Sequence, residues 1–269
     1  MENVFKKGKM KQLWEYFTTY EKWWLLIFSI IAIIASIVMP EDSVNGIDGT
    51  VITVFCTIST LACLVCEMLA SKQSKWNAFI YIFVEILEII RFFMIAMIAN
   101  VFVSLLFWLP IHIITFINWQ KNEDKQKKEL TVVRSLKTKQ AICLVVAIVI
   151  WTLVIGYLLA RFMPDSGFFS SDAHQIAASY LDACASALAI ANGVLLYFRF
   201  KESWYPWIAY SIVSIAYMVL SGFWIFIVLQ LGYLTNAIYG YLKWTKYIKE
   251  KKKANSSEIA QKEKNQTTT

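Results

Sequence analysis

Apolar residues come in long unbroken blocks along this chain, without the alternation of half-buried strands or the 3.6-residue stripe of surface helices. The blocks cover 23–39, 51–70, 77–96, 102–119, 141–163, 174–198, 204–220 and 223–241. A run of about 18 or more such residues is long enough to cross a hydrocarbon core as a helix. Inside lipid the backbone finds no water to bond, so a crossing segment must be a helix or part of a closed barrel. A barrel would show alternating segments of about 10 residues, and none are visible. The pattern therefore predicts an all-α integral membrane protein with eight transmembrane helices. Composition agrees: 58% of residues are hydrophobic and 17% charged, with a mean hydropathy of +0.53. That leaves too little polar surface to cover a soluble domain. The first block is not read as a cleavable signal, because Pro40, Glu41 and Asp42 follow it in place of a small-residue cleavage site.

Charge gives the orientation. With the N-terminus in the cytoplasm, segments 1–22, 71–76, 120–140, 199–203 and 242–269 all lie inside and hold 24 of the 26 lysines and arginines. The other two, Arg91 and Arg161, fall within helices. The outside loops carry Glu41, Asp42, Asp48, Asp165 and Asp172 and no cation. This is the bias that the positive-inside rule demands, and an odd number of helices would break it. Both termini are expected to be cytoplasmic. The net charge of +7 is then a topology signal and no reason to invoke nucleic acid, although it lets the basic tail meet anionic membrane lipid. That tail, 247–269, is polar and reads as disordered.

Two stretches of the chain resemble each other. One runs from Lys72-Gln73-Ser74-Lys75-Trp76 to Trp119-Gln120-Lys121, the other from Lys201-Glu202-Ser203-Trp204 to Trp244-Thr245-Lys246. The organisation predicted is 1+3+1+3: a cytoplasmic N-terminus and extra helix (1–49), a first three-helix repeat (50–122), a basic loop and linker helix (123–173), a second repeat (174–246) and the tail. Parallel repeats of this kind are a transporter architecture, with the solute site between the halves.

The second triplet contains Asp182-Ala183, Ser203-Trp204-Tyr205-Pro206-Trp207 and Asn236-Ala237-Ile238-Tyr239-Gly240-Tyr241 before Lys243-Trp244. The first contributes Leu109-Pro110 and Asn118-Trp119-Gln120-Lys121-Asn122. Over roughly residues 50–246 these motifs resemble the PnuC family of bacterial vitamin transporters. The resemblance implies a SWEET-like fold in the bacterial cytoplasmic membrane, a homotrimer, and facilitated diffusion of nicotinamide riboside trapped by cytoplasmic phosphorylation. Thiamine, riboflavin and deoxynucleosides are the alternative solutes within the family. The chain departs from the family pattern at Asn192, where a glutamine is expected, and at Cys184-Ala185-Ser186-Ala187, where Thr and Ser are usual. Both departures leave the solute open.

A flat polar solute needs aromatic faces to stack on and amides or hydroxyls for its edges. Trp204 and Trp207 share a helix face and match the family's Trp-x-x-Trp, with interfacial anchoring as the alternative for Trp204. Asn236 and Tyr239 share a face of the last helix. A buried amide is costly unless bonded, and the resemblance assigns this pair to the ligand. Asn192 is a third candidate amide, for ligand or for helix–helix bonding. His112, just after Pro110, is a candidate for solute contact, proton relay or a structural bond. Intramembrane Glu85, Glu88 and Arg91 are functional candidates by location. Glu88 and Arg91 are spaced to pair, which leaves Glu85 as a proton carrier if transport is coupled.

No cofactor or metal is expected. Cys63 and Cys66 spell C-x-x-C inside an apolar helix and read as small core residues, and His112 and His174 offer no zinc spacing. Phosphate-binding loops and hydrolase signatures are absent. A membrane enzyme would need a His, Asp or Ser cluster at one membrane face. A scaffold protein would turn Asn192, Asn236 and Tyr239 away from one another.

Overall fold

A capping box starts α1 (Thr19–Val38): Thr18 accepts from the Glu21 amide while Glu21 accepts from the Thr18 amide. Asp48 caps the second, α2 (Gly49–Ser71), by accepting from the Thr50 amide at 2.7 Å. Then follow α3 (Trp76–Met94), α4 (three consecutive parts, Ile98–Val103, Ser104–Trp108 and Leu109–Lys121), α5 (Thr138–Phe162), α6 (Asp172–Tyr197), α7 (Trp204–Ser221) and α8 (Trp224–Gln266). The computed structural model describes residues 15–94, 98–125, 130–162, 172–221 and 224–266. Asp165 and the basic residues before Glu15 lie outside the described residues.

Among the described residues eight helices fall on the eight apolar blocks, and there is no β-strand. Five segments are long and apolar enough to span a bilayer on length and composition alone. α3 instead carries Glu85, Glu88 and Arg91, α7 is rich in Trp and Tyr, and α8 has Gln230 and Asn236 within its apolar stretch. α8 also runs through residues whose composition reads as a disordered tail, continuing as helix to Gln266. Two contacts hold its near part. Lys251 donates to the Asp124 carboxylate at 2.7 Å and Tyr247 bonds the same group. Sequence composition gave no sign of this anchor, because Asp124 is remote along the chain.

α4 is a rod with a defect in it. Pro110 has no N–H to give and disturbs the turn before it. The backbone answers with a π-helical turn at Ser104–Trp108, in which the Leu109 amide reaches back five residues to the Ser104 carbonyl. Trp108 and His112 project from this irregular stretch.

α2–α4 and α6–α8 face each other across α2–α8 and α4–α6 contacts. Two hydrogen bonds are reciprocal. Trp119, ending α4, donates its indole N–H to the Leu196 carbonyl near the end of α6 at 2.9 Å. Trp244, on α8, donates to the Ala70 carbonyl at the end of α2 at 3.1 Å. The turns after α2 and α6 also match: Gln73 and Arg199 both adopt left-handed backbone, at φ 60° and 61°. The segment before α5 joins these turns, with the Thr131 amide on the Gln73 carbonyl and the Arg134 amide on the Arg199 carbonyl.

The extra helix is fastened by a buried charge. Glu21, fully enclosed, accepts from Lys72 of the α2–α3 turn at 3.0 Å and from Lys243 of α8 at 2.7 Å. α5, by contrast, shows apolar side chains such as Val145, Val149 and Leu153 on its surface and packs mainly on α6.

Candidate functional site

A cavity of about 260 Å³ opens between α2, α3, α4, α6 and α7. Ligand pockets usually measure roughly 300–1,000 Å³, so this one suits a small solute. Three sequence candidates line it together: His112, Asn192 and Trp207. His112 stacks face to face on Tyr81, with centroids 4.9 Å apart and planes 8° from parallel, and lies nearly parallel to Trp108 at 6.1 Å. Trp207 stacks on Tyr210 at 4.8 Å and 2°. Aromatic surfaces thus face the cavity from α3 and α4 on one side and α7 on the other. Gly193 on α6 permits this approach, since a Cβ there would stand 3.2 Å from the Trp108 ring.

The polar groups differ in how far they are already engaged. Asn192 donates to the Ser203 carbonyl at 3.0 Å, which ties α6 to the start of α7. Tyr81 bonds the Glu67 carboxylate, so its hydroxyl is held by α2. Asn77, at the start of α3, is fully buried, and neither its amide nitrogen nor its amide oxygen has a protein partner. An orphaned buried amide is costly, and this one lines the cavity. Sequence reading missed Asn77 because it opens an apolar block and looks like a helix-end residue. Asn77, Tyr81 and Glu85 recur every four residues, which sets them on one face of α3; that spacing was the available signal.

The remaining candidates lie elsewhere. Trp204 is in the core, edge-on to Trp244 at 5.5 Å and directly over Gly240. Asn236 donates to the Glu67 backbone carbonyl at 3.0 Å and so bridges α8 to α2 behind the cavity wall. Tyr239 donates to Glu21 at 2.8 Å and helps dock the extra helix. Asn118 bonds the Tyr197 carbonyl at 2.6 Å. Glu88 and Arg91 form the ion pair that their spacing suggests, at 2.6 Å. Glu85 is left facing His112, with its carboxylate 3.8 Å from Nε2.

Among the described residues no lysine or arginine lines the cavity. Among the described residues no cluster of His, Cys, Asp and Glu is arranged to hold a metal.

The helices and the aromatic-walled cavity define a multi-pass α-helical membrane protein with a solute-sized recess. Residues 50–246 match the model of the family described as nicotinamide mononucleotide transporter, and the chain belongs to that family. It is 26% identical over 143 residues to a nicotinamide riboside transporter PnuC of Haemophilus influenzae, a match covering 53% of this chain and 57% of that protein. It is also 26% identical over 164 residues to a nicotinamide riboside transporter PnuC of Neisseria mucosa, covering 56% of each. These matches span a little over half the length of the curated relatives. In fold it is similar to the crystal structure of the vitamin B3 transporter PnuC, with a TM-score of 0.62 and 22% identity over 87% of this chain and 94% of that one.

Proposed function

We propose that this protein carries nicotinamide riboside across the bacterial cytoplasmic membrane by facilitated diffusion, and that phosphorylation in the cytoplasm traps the solute. One observation carries the choice of solute: the cavity is small and aromatic on two sides, holds an unpartnered amide, and among the described residues has no lysine or arginine in its lining. A nucleotide phosphate would call for Arg, Lys or a helix N-terminus to pair with it. A riboside asks only for ring stacking and for amides at its hydroxyls and carboxamide. The names of the two curated relatives favour the same solute. Trp207 with Tyr210, and His112 with Tyr81, supply the stacking faces, while Asn77 and Asn192 supply polar contacts.

The halves 50–122 and 174–246 act as parallel repeats, with 1–49 as an added helix and 123–173 as the connection. The reciprocal Trp119 and Trp244 bonds and the matched left-handed turns support this reading. Both termini lie in the cytoplasm, as the basic segments require, and the chain works as a homotrimer in lipid.

The test is calorimetry on the purified protein with nicotinamide riboside, its 5′-mononucleotide, thiamine, riboflavin and a deoxynucleoside. Saturable binding of the riboside, weakened in Trp207→Ala, is the expected result. Tighter binding of the mononucleotide would overturn the inference from the absent lysine and arginine. Binding of another titrant alone would replace the solute and leave the fold.

A further inference from the structure

Glu85 occupies a position that stacking and amide contacts leave unused. It lines the inner cavity and also a second recess of about 320 Å³ between α3 and α4, formed with Glu88, Phe92, Asn100, Ser104 and Trp108. Glu85, Glu88 and Trp108 are common to both, so they form the partition between them. The charges there do not balance. Glu88 is neutralised by Arg91 at 2.6 Å. Glu85 stands beside Ser104, and its closest basic group is His112 at 3.8 Å, beyond hydrogen-bonding distance. Only 12% of the Glu85 side chain is exposed. A carboxylate buried among apolar helices without a full cation partner is costly, and an arriving cation lowers that cost.

From these observations we infer that Glu85 is the counter-ion that selects a positively charged heteroaromatic ring, making this residue the determinant between cationic and uncharged forms of the solute. Asn77 supports a ligand here independently, since its buried, unpartnered amide lines the same cavity two turns away on the same face of α3. Eight residues of helix span about 12 Å, enough for a ring beside Glu85 and a sugar beside Asn77. The rings of Tyr81, His112 and Trp108 flank the carboxylate, and their π faces also favour a cation. The inference rests on the nicotinamide riboside reading, because the pyridinium ring of that solute carries the charge.

The experiment compares nicotinamide riboside with its reduced dihydro form, which has nearly the same shape and no ring charge. Both are titrated into the wild-type chain, Glu85→Gln and Glu85→Asp, each first checked for a monodisperse elution profile. Wild type should prefer the cation. Glu85→Gln should lose about 10- to 100-fold in affinity for the cation, the worth of a charged contact, and keep its affinity for the reduced form. Glu85→Asp should restore part of the preference. Equal loss for both ligands in Glu85→Gln, or an unchanged preference, would overturn the counter-ion role while leaving the transport reading intact. Failure of wild type to bind either form would overturn both.

Discussion

Asn77 should be expensive in the empty protein and useful in the loaded one, so replacing it should move stability and binding in opposite directions. The amide is fully buried and both of its polar atoms lack a protein partner. An unsatisfied buried polar group costs about 1–3 kcal/mol. Leucine has the same number of side-chain heavy atoms in the same branched arrangement and a better helix propensity, by less than about 0.7 kcal/mol. Asn77→Leu should therefore stabilise the empty protein by between zero and about 3 kcal/mol. At about 2–4 °C per kcal/mol for a chain of this size, the unfolding midpoint should hold or rise by several degrees. In the complex the same change strands one or two polar groups of the solute. A loss of about 1–3 kcal/mol corresponds to about 5- to 150-fold weaker binding. Tryptophan fluorescence during heating reads the first quantity and calorimetry with nicotinamide riboside the second. A lower midpoint together with unchanged affinity would refute the reasoning, since it would make Asn77 a structural residue facing away from the solute.

Trp207→Ala should weaken solute binding by about tenfold or more, because it removes an aromatic contact worth about 0.5–1.5 kcal/mol and the apolar area under it; calorimetry decides. Gly240→Ala should destabilise by about 1–3 kcal/mol through overpacking, since its Cβ would stand 2.4 Å from the Trp204 ring; thermal unfolding checks it, and an unchanged midpoint would mean that the Trp204 cluster is loosely packed. Glu21→Gln removes the charge that Lys72 and Lys243 share, and breaking a buried pair costs about 3–5 kcal/mol; the unfolding midpoint should fall and protease should cleave faster ahead of α1. Arg91→Met should destabilise by less than that, because the Glu88 and Arg91 side chains keep 22% and 20% of their surfaces exposed, and adding Glu88→Gln should recover part of the loss in a double-mutant cycle.

How far the sequence reached follows from the range of the forces involved. Helix number and type, and the pairing of Glu88 with Arg91, were legible because each depends on residues near in sequence and on a period that any reader can count. The family was legible because short motifs survive in order. The site was legible only in part. His112, Asn192 and Trp207 do meet in one cavity, yet Trp204, three residues from Trp207, belongs to the core. Sharing a helix face fixes a direction and says nothing of which neighbour fills it. Tyr239 shows the same limit: its hydroxyl is taken by Glu21, from a helix more than two hundred residues away. Asn77 could not be separated from an ordinary helix-end residue until the surrounding helices showed that nothing else bonds it. The sequence alone determined which segments form apolar helices, through the local cost of placing backbone and charge in hydrocarbon. The tertiary structure alone decided which polar groups are left unpaired inside the bundle, because satisfying a hydrogen bond depends on contacts between helices far apart in the chain.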